Sequence, residues 1–318
     1  MSQKVAIVYW CDGAGHAARS IPVAKELDAR GCEVAIGGGG QGEPFVDMNG
    51  FDQPDLTKVA VKGSTPWAFI EHTLFDLLPS AVRRFGELYR WLDDEDPGLL
   101  VTDDIFAAFA AIILDIDFYR IDHLTTDLFG PRWGIPLEIY NRTSLRFAEG
   151  ILVTSLWADE PDPEGITRVG PLAQEGDPDD EVEPYDVLLN PGTHGEDFDE
   201  IRRRLERMGY DVRTVGDDEW ETKPAMTPYT AAADVVVCTG FSSIADTVVA
   251  GTPCVIYPFL PFQKALAERA DSLEIEGVSQ ATSVEAVLDE VSYYCNADEQ
   301  PRFENGAPEF VDTLLRRI

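Results

Sequence analysis

The feature that most constrains this chain is a strand–helix–strand unit near its beginning. The apolar segment KVAIVYW (4–10) leads through CDGAGH (11–16) into a predicted helix that ends near Arg30, and CEVAIGG (32–38) follows. A continuous apolar run with β-branched residues is typical of a strand that is buried on both faces of a parallel sheet. The order of strand, glycine-rich turn, helix and strand therefore predicts a βαβ unit.

The same plan returns in the second half of the chain. YDVLLN (185–190) is followed by the loop PGTHG (191–195), a charged helical segment (196–208) and the strand-like YDVRTV (210–215). The two units share their architecture and hardly any residues. Strands alternate with helices throughout both halves, which favours an α/β fold.

Length and composition indicate that the chain has two domains. Its 318 residues exceed the usual size of one domain, and the region between the halves is rich in proline, glycine and acidic residues. We predict an α/β protein of two Rossmann-like, doubly wound domains, 1–160 and 185–300, joined by a linker over 161–184. Ligands of such sheets bind at the carboxyl ends of the strands, so we expect both sets of ends to face a common cleft.

The charge of the chain restricts its partners. A formal net charge of −33 at pH 7 would repel nucleic acids and anionic membrane surfaces. Because a uniformly acidic chain repels itself unless salt screens it, we expect a halophilic protein in a high-salt cytosol. The acidic strings DDED (93–96) and DPDD (177–180) are typical of a salt-adapted surface, and we predict no metal site and no cofactor.

Cysteine usage and targeting signals indicate the compartment. The chain has five cysteines, an odd number, and no CxxC pair, which favours free thiols in a reducing environment. It shows no signal peptide and no apolar run of membrane-spanning length. We therefore expect a soluble cytoplasmic protein.

Each of the two glycine loops, GAGH (13–16) and PGTHG (191–195), precedes a predicted helix. Backbone N–H groups and the helix dipole at such a turn attract anions, so both loops suggest a phosphate site. A tight turn alone explains the glycines equally well for each loop by itself. Neither loop is a GxGxxG fingerprint and the chain has no GxxxxGK[ST] loop, which disfavours NAD and P-loop nucleotides.

His16 stands where the first predicted strand gives way to a helix, so its ring should point into the cleft. A histidine there serves as a cap or a hydrogen-bonding spacer as often as it serves as a base. A carboxylate that orients the imidazole and stabilises its protonated form would favour the base. Asp103 or Asp104, which end the strand-like PGLLVTDD (97–104), could supply that carboxylate, although either could instead cap the helix before Ile105.

The most specific stretch covers residues 232–274. A predicted strand ends there at Thr239, Gly240 opens a loop, and Ser243 stands at a helix start three residues before Asp246. A capping pair would explain Ser243 and, less well, Asp246. It would not explain the neighbouring residues.

This stretch resembles the donor-binding region of GT-B glycosyltransferases, in particular the peptidoglycan-type N-acetylglucosaminyltransferases of glycosyltransferase family 28 and their archaeal relatives. That family has S-x-x-G-[AG]-x-[ST]-[IV]-x-E, then G-x-P-x-[IV]-x-[IVY]-P, then a glutamine. The matching residues are Gly240, Ser242, Ser243, Ile244, Gly251, Pro253, Pro258 and Gln263. The GHxxR loop (13–34), the VGP segment (157–175) and PGTHG follow the family's order as well.

The resemblance implies a GT-B fold whose final helix, within 301–318, can cross back to the first domain. It also implies a metal-independent glycosyltransferase that works by single displacement with inversion. His16 takes the place of the family's base, and Asp103 takes the place of the aspartate that orients the base in related enzymes.

The resemblance further implies which residues bind the two substrates. The donor, a nucleotide-sugar such as UDP-GlcNAc, is expected at Thr193, His194 and Gly195 through its pyrophosphate, at Asp246 through its ribose, at Gln263 through its sugar, and at Gly240, Ser242 and Ser243. A small-molecule or lipid-linked acceptor, with at most peripheral membrane contact, is expected beside Gly13, Gly15 and Arg19.

Three residues depart from the family pattern and leave other functions open. Asp246 is one methylene shorter than the usual glutamate, Phe241 replaces a small residue, and Leu266 stands where asparagine is frequent. A nucleotide-sugar 2-epimerase of the same fold is one alternative. A nucleotide-sugar-binding subunit without turnover is the other.

Overall fold

The computed structural model describes residues 3–59, 78–123, 138–139, 141–157, 164–177, 181–192, 196–218 and 220–316. Thr193, His194 and Gly195 lie outside these ranges, so their contacts with a pyrophosphate stay a prediction.

The first sheet is parallel and has the strand order β2-β1-β3-β4-β5-β6. Its strands are β1 (Lys4–Val8), β2 (Glu33–Gly37), β3 (Leu99–Thr102), β4 (Phe118–Asp122), β5 (Gly150–Thr154) and β6 (Ile166–Val169). The helices described with it are α1 (Ala14–Ala29), α2 (Glu43–Met48), α3 (Leu78–Glu95) and α4 (Ile105–Leu114). The predicted βαβ unit is thus formed by β1, α1 and β2, and its two strands pair in parallel.

The apolar sequence of β1 is explained by a helix layer on each face of the sheet. Val5 and Ile7 pack with α1, whose Ile21 and Leu27 are buried in the same cluster. Ala6 and Val8 point to the opposite face and pack with α3 and α4. Alternate residues of a strand face opposite sides, so a central strand with two covered faces must be apolar throughout.

The second sheet is also parallel, in the order β11-β10-β9-β7-β8. Its strands are β7 (Tyr185–Asn190), β8 (Val212–Thr214), β9 (Ala233–Cys238), β10 (Cys254–Ile256) and β11 (Val278–Gln280). The helices described around it are α5 (Glu196–Met208), α6 (Thr227–Ala231), α7 (Phe241–Ala250), α8 (Pro261–Ser272) and α9 (Val284–Tyr294). The predicted α/β fold of two parallel-sheet domains is confirmed.

The last helix, α10 (Ala307–Leu315), leaves the second domain and packs against the first. Phe310, Val311 and Leu314 are fully buried in the cluster that contains α1. Arg30 at the end of α1 donates a 2.7 Å hydrogen bond to Asp312. The final helix therefore forms part of the first domain's core.

The segment 161–184, predicted as a linker, contains part of the first domain. Residues Ile166–Val169 form β6, which pairs in parallel with β5 at the edge of the first sheet. A four-residue edge strand with two polar positions gives too short an apolar pattern to stand out among proline, glycine and acidic residues. The connection between the sheets accordingly starts after Val169.

The described helices include none that is both long enough and apolar enough to span a membrane. All five cysteines are free, and Cys11, Cys238 and Cys254 are buried.

Candidate functional site

The candidate site lies between the carboxyl ends of the two sheets. His16 follows β1 on the first turn of α1, Asp103 follows β3, and His123 follows β4. These strands are adjacent in the first sheet, and parallel strands end on the same side. The sheet therefore brings three polar side chains from distant parts of the sequence to one edge.

His16 and Asp103 are in direct contact. The Nδ1 atom of His16 lies 2.6 Å from Oδ2 of Asp103. The carboxylate's other oxygen accepts a 2.6 Å hydrogen bond from the backbone N–H of Trp10, which fixes its orientation. The His16 side chain is 28% exposed and that of Asp103 only 6%, so the imidazole stays accessible while its partner is buried.

Asp103 is held ionised by its neighbours. Burial would raise the pKa of this carboxyl, but the charges and hydrogen bonds of Arg19 and His16 hold the pKa well below its ordinary value. A buried carboxylate is stable only when it is paired and hydrogen-bonded in this way.

Arg19 is buried beside this pair, at 6% exposure. Its Nε donates a 3.1 Å hydrogen bond to Oδ2 of Asp103, and Nη2 donates to the same oxygen. Its Nη1 contacts Nδ1 of His123. The guanidinium thus points into the protein, so acceptor binding by Arg19 would have to occur alongside these contacts, and it stays a prediction.

Asp104 has a structural role that is separate from that of Asp103. Its Oδ1 accepts hydrogen bonds from the backbone N–H groups of Phe106 and Ala107 and so caps α4. Its Oδ2 pairs with Arg84, which is fully buried and also donates to the carbonyl oxygens of Gly38 and Thr57. Of the two aspartates considered for orienting His16, Asp103 contacts the imidazole and Asp104 caps the helix.

The start of α7 forms the opposite wall of the site. Its N-cap, Gly240, has no side chain to cap the helix, so the N–H groups of the first turn are open to an anion. Ser242 Oγ donates a 3.0 Å hydrogen bond to the carbonyl oxygen of Gly15. Ser243 Oγ accepts a 2.9 Å hydrogen bond from Asn190 at the end of β7.

Asp246 is buried on the second turn of α7, with 5% exposure. One carboxylate oxygen accepts a 2.9 Å hydrogen bond from the backbone N–H of Gln174 in the connection between the domains. Burial raises the pKa of Asp246 to about 7, and the hydrogen bond from Gln174 offsets only part of that effect. The carboxyl therefore changes charge near neutral pH.

Gln263 uses its side-chain oxygen within its own loop. Oε1 accepts hydrogen bonds of 3.0 and 2.9 Å from the backbone N–H groups of Phe259 and Leu260 and caps α8. Its amide nitrogen is the group left to reach a donor sugar. Gly13, at a φ of 98°, ends the turn before α1, where glycine adopts this conformation without strain.

Two residues of this site were not predicted from the sequence. His123 follows a strand that contains Arg120 and Asp122, and Asn190 ends β7. Both are polar residues at the carboxyl end of a strand, which is the signal that could have identified them. Among the residues with assigned positions, no group of three or more His, Cys, Asp or Glu side chains could hold a metal ion.

No protein-family model and no curated protein sequence matches the chain. Several solved structures match it over nearly its full length. The glycosyltransferase SsfS6 of Streptomyces sp. SF2575, complexed with thymidine diphosphate, is 14% identical at a TM-score of 0.66, covering 99% of this chain and 100% of that chain. The spinosyn rhamnosyltransferase SpnG, complexed with spinosyn aglycone, is 16% identical at a TM-score of 0.62, with 98% and 99% covered. MurG of Acinetobacter baumannii is 13% identical at a TM-score of 0.58, with 100% of both chains covered. The chain therefore has the GT-B fold that these proteins share.

Proposed function

We propose that this chain is an inverting glycosyltransferase that moves a sugar from a nucleotide diphosphate to an acceptor hydroxyl. The observation that carries the proposal is the 2.6 Å contact between His16 and Asp103, opposite the uncapped start of α7. The reaction needs a base for the acceptor hydroxyl and an anion site for the leaving diphosphate. His16 lies at one wall of the site, and the start of α7 forms the other wall.

His16 acts as the general base. With its Nδ1–H donated to Asp103, Nε2 is free to take the proton of an acceptor hydroxyl. The acceptor oxygen forms a bond to the anomeric carbon while the bond from that carbon to the diphosphate oxygen breaks. The electron pair of the broken bond leaves with the diphosphate, and the configuration inverts.

The second domain binds the donor. Backbone N–H groups of the first turn of α7 stabilise the charge of the departing diphosphate without a metal. Asp246 binds the ribose hydroxyls through its remaining carboxylate oxygen, and Gln263 contacts the sugar through its amide nitrogen. The thymidine diphosphate bound by the similar SsfS6 supports a nucleotide diphosphate donor. The resemblance of the sequence to family 28 favours UDP-GlcNAc.

The first domain binds the acceptor near Gly13 and Gly15. The aglycone complex of the similar SpnG supports a small-molecule acceptor. A lipid-linked acceptor, reached by peripheral membrane contact, is the alternative to be tested.

The first test is a thermal-shift panel of UDP-, GDP- and TDP-sugars in molar KCl, followed by transfer assays with acceptor pools. We expect one donor class to raise the unfolding temperature and to lose its sugar only when an acceptor is present. The absence of any shift would contradict the donor assignment. Conversion of UDP-GlcNAc without an acceptor would instead identify a 2-epimerase, and stabilisation without turnover would identify a binding subunit.

A further inference from the structure

We propose that Arg19 is a positioning residue that, together with Asp103, fixes opposite tautomers in the two imidazoles of the site. His16 then presents a hydrogen-bond acceptor to the cleft and His123 presents a donor. The catalytic meaning of this arrangement rests on the proposed function, whereas the tautomers can be measured without turnover.

Arg19 is placed to act on both histidines. It lies three residues after His16 on α1, so the two side chains share one face of the helix. Its Nε and Nη2 both donate to Oδ2 of Asp103, and its Nη1 faces Nδ1 of His123. A guanidinium has a rigid fork of donors and no acceptor, so each of these partners must accept.

The carboxylate determines the tautomer of His16. Its Nδ1 lies 2.6 Å from Oδ2 of Asp103 and 2.7 Å from Nη2 of Arg19. A lone pair on Nδ1 would face a carboxylate oxygen at that distance, which is repulsive. The hydrogen therefore sits on Nδ1 and is donated to Asp103, and Nη2 of Arg19 directs its own hydrogen to the same carboxylate instead of to Nδ1. The lone pair of the ring is then on Nε2.

The guanidinium determines the tautomer of His123. Because Arg19 can only donate, Nδ1 of His123 carries the lone pair and its hydrogen sits on Nε2. Desolvation and the charge of Arg19 lower the pKa of His123 to about 3, so the ring is neutral at neutral pH. The ring centroid lies 5.5 Å from that of Phe241 at the start of α7, which places the imidazole between the two domains.

The pair of tautomers gives the cleft one base and one neutral donor. Arg19 balances the charge of Asp103, so the four-residue network has no net charge while both imidazoles are neutral. His16 can accept a proton from one substrate oxygen while Nε2–H of His123 donates to another. The ligand that fits is a substrate with two oxygens near each other, only one of which loses a proton.

The tautomers can be measured by nitrogen NMR of the full chain labelled at histidine. The chain has four histidines, so single glutamine variants at His16 and His123 assign their resonances. The spectra of the wild type are compared with those of R19M, which removes the charge and the donors. R30M is the matched control, because Arg30 lies at the end of the same helix and pairs only with Glu26 and Asp312 among the described residues.

We expect the wild type to carry hydrogen on Nδ1 of His16 and on Nε2 of His123. In R19M, His123 should populate both tautomers, and its protonation midpoint should rise by about one pH unit or more. R30M should match the wild type. Hydrogen on Nδ1 of His123 in the wild type, or unchanged histidine spectra in R19M, would overturn the proposal.

R19K covers the case in which R19M does not fold. Lysine keeps the charge but cannot bridge Asp103 and His123 with a planar fork. We expect R19K to release the tautomer of His123 while its protonation midpoint stays low, and fixed tautomers in R19K would contradict the proposal. If the tautomers are as expected and no donor is turned over, the positioning role stands and the proposed function fails.

Discussion

The hydroxyl of Ser242 donates a 3.0 Å hydrogen bond to the carbonyl oxygen of Gly15, and this contact joins the glycine turn of the first domain to α7 of the second. A Cβ on Gly15 would lie 3.0 Å from the same hydroxyl oxygen, which is tighter than ordinary van der Waals contact. The absence of a side chain at this position therefore lets the two walls approach this closely.

Substitution of Gly15 by alanine is expected to hold the two walls apart at this point. A displacement of about 1 Å between the base and the donor costs up to about 10²-fold in turnover. The new contact needs a shift of a few tenths of an ångström, so kcat/KM for sugar transfer should fall by up to about 10-fold. The double variant G15A/S242A lacks the hydroxyl that the new Cβ would meet, and it is compared with S242A because Ser242 is itself an expected donor contact. An equal effect of G15A in the wild-type and S242A backgrounds would contradict this explanation.

Substitution of His16 by alanine is expected to lower transfer by about 10²-fold or more, because the general base is lost. The side chain is 28% exposed, so the fold should tolerate its removal. Transfer rates and thermal unfolding should be measured together. Wild-type transfer by H16A would eliminate His16 as the base.

Arg84 is expected to contribute strongly to the stability of the fold. It is fully buried, and Arg84→Met would leave Asp104 as an unpaired buried carboxylate, at a cost of about 3–5 kcal/mol. Its neighbour Arg83 is 75% exposed and pairs with Glu87, so Arg83→Met should change the free energy of unfolding by less than about 1 kcal/mol. Urea unfolding of both variants tests this contrast, and equal effects would refute it.

The burial of Asp246 is expected to make the protein less stable as the pH rises. Its carboxyl ionises near pH 4 in the unfolded chain and near pH 7 in the folded chain, so between these values the folded state binds more protons. The free energy of unfolding therefore falls across this window, by on the order of 4 kcal/mol in total, and the full loss is present above pH 7.

Asp246→Asn should remove this loss, because the amide oxygen can still accept from Gln174 while no charge is buried. We expect D246N to exceed the wild type in stability at pH 8 and to equal it near pH 4, with weaker donor binding. Unfolding in urea at both pH values measures the difference, and D199N, on the exposed face of α5, is the control. A stability gain that does not depend on pH would argue against ionisation as the cause.

The net charge of −33 is expected to make stability depend strongly on salt. Screening shortens the range of repulsion between surface carboxylates, so the unfolding temperature should rise steeply between about 0.1 M and about 3 M KCl. Sucrose at matched viscosity controls for general co-solvent effects. A flat dependence on KCl would contradict a halophilic adaptation.

The contact between His16 and Asp103 could be anticipated because both residues follow apolar runs that read as strands. Parallel strands end on one side, so two such residues must approach each other when their strands are neighbours, as β1 and β3 are. The strand pattern alone left Asp103 and Asp104 both open as the partner of His16, and the family resemblance favoured Asp103.

His123 could not be anticipated in the same way. Its strand, β4, contains Arg120, which is buried and paired with Asp122 and Asn141. Charged residues inside a strand hide its apolar pattern, and Arg120 is satisfied partly by Asp122 on the same strand and partly by Asn141, 21 positions away. The side chain of Arg19 likewise contacts His123. The direction of the Arg19 side chain could therefore not be predicted before the position of β4 was known.

The packing of α10 against α1 determines when the first domain can complete its folding. Phe310, Val311 and Leu314 fill a core that, apart from α10, is built from buried residues before position 173, yet the ribosome makes α10 after the second domain. Until α10 is made, its apolar neighbours on α1 stay uncovered, so the first domain can complete its core only after the second domain has been synthesised. Synthesis of the second domain is in this sense a step in the folding of the first.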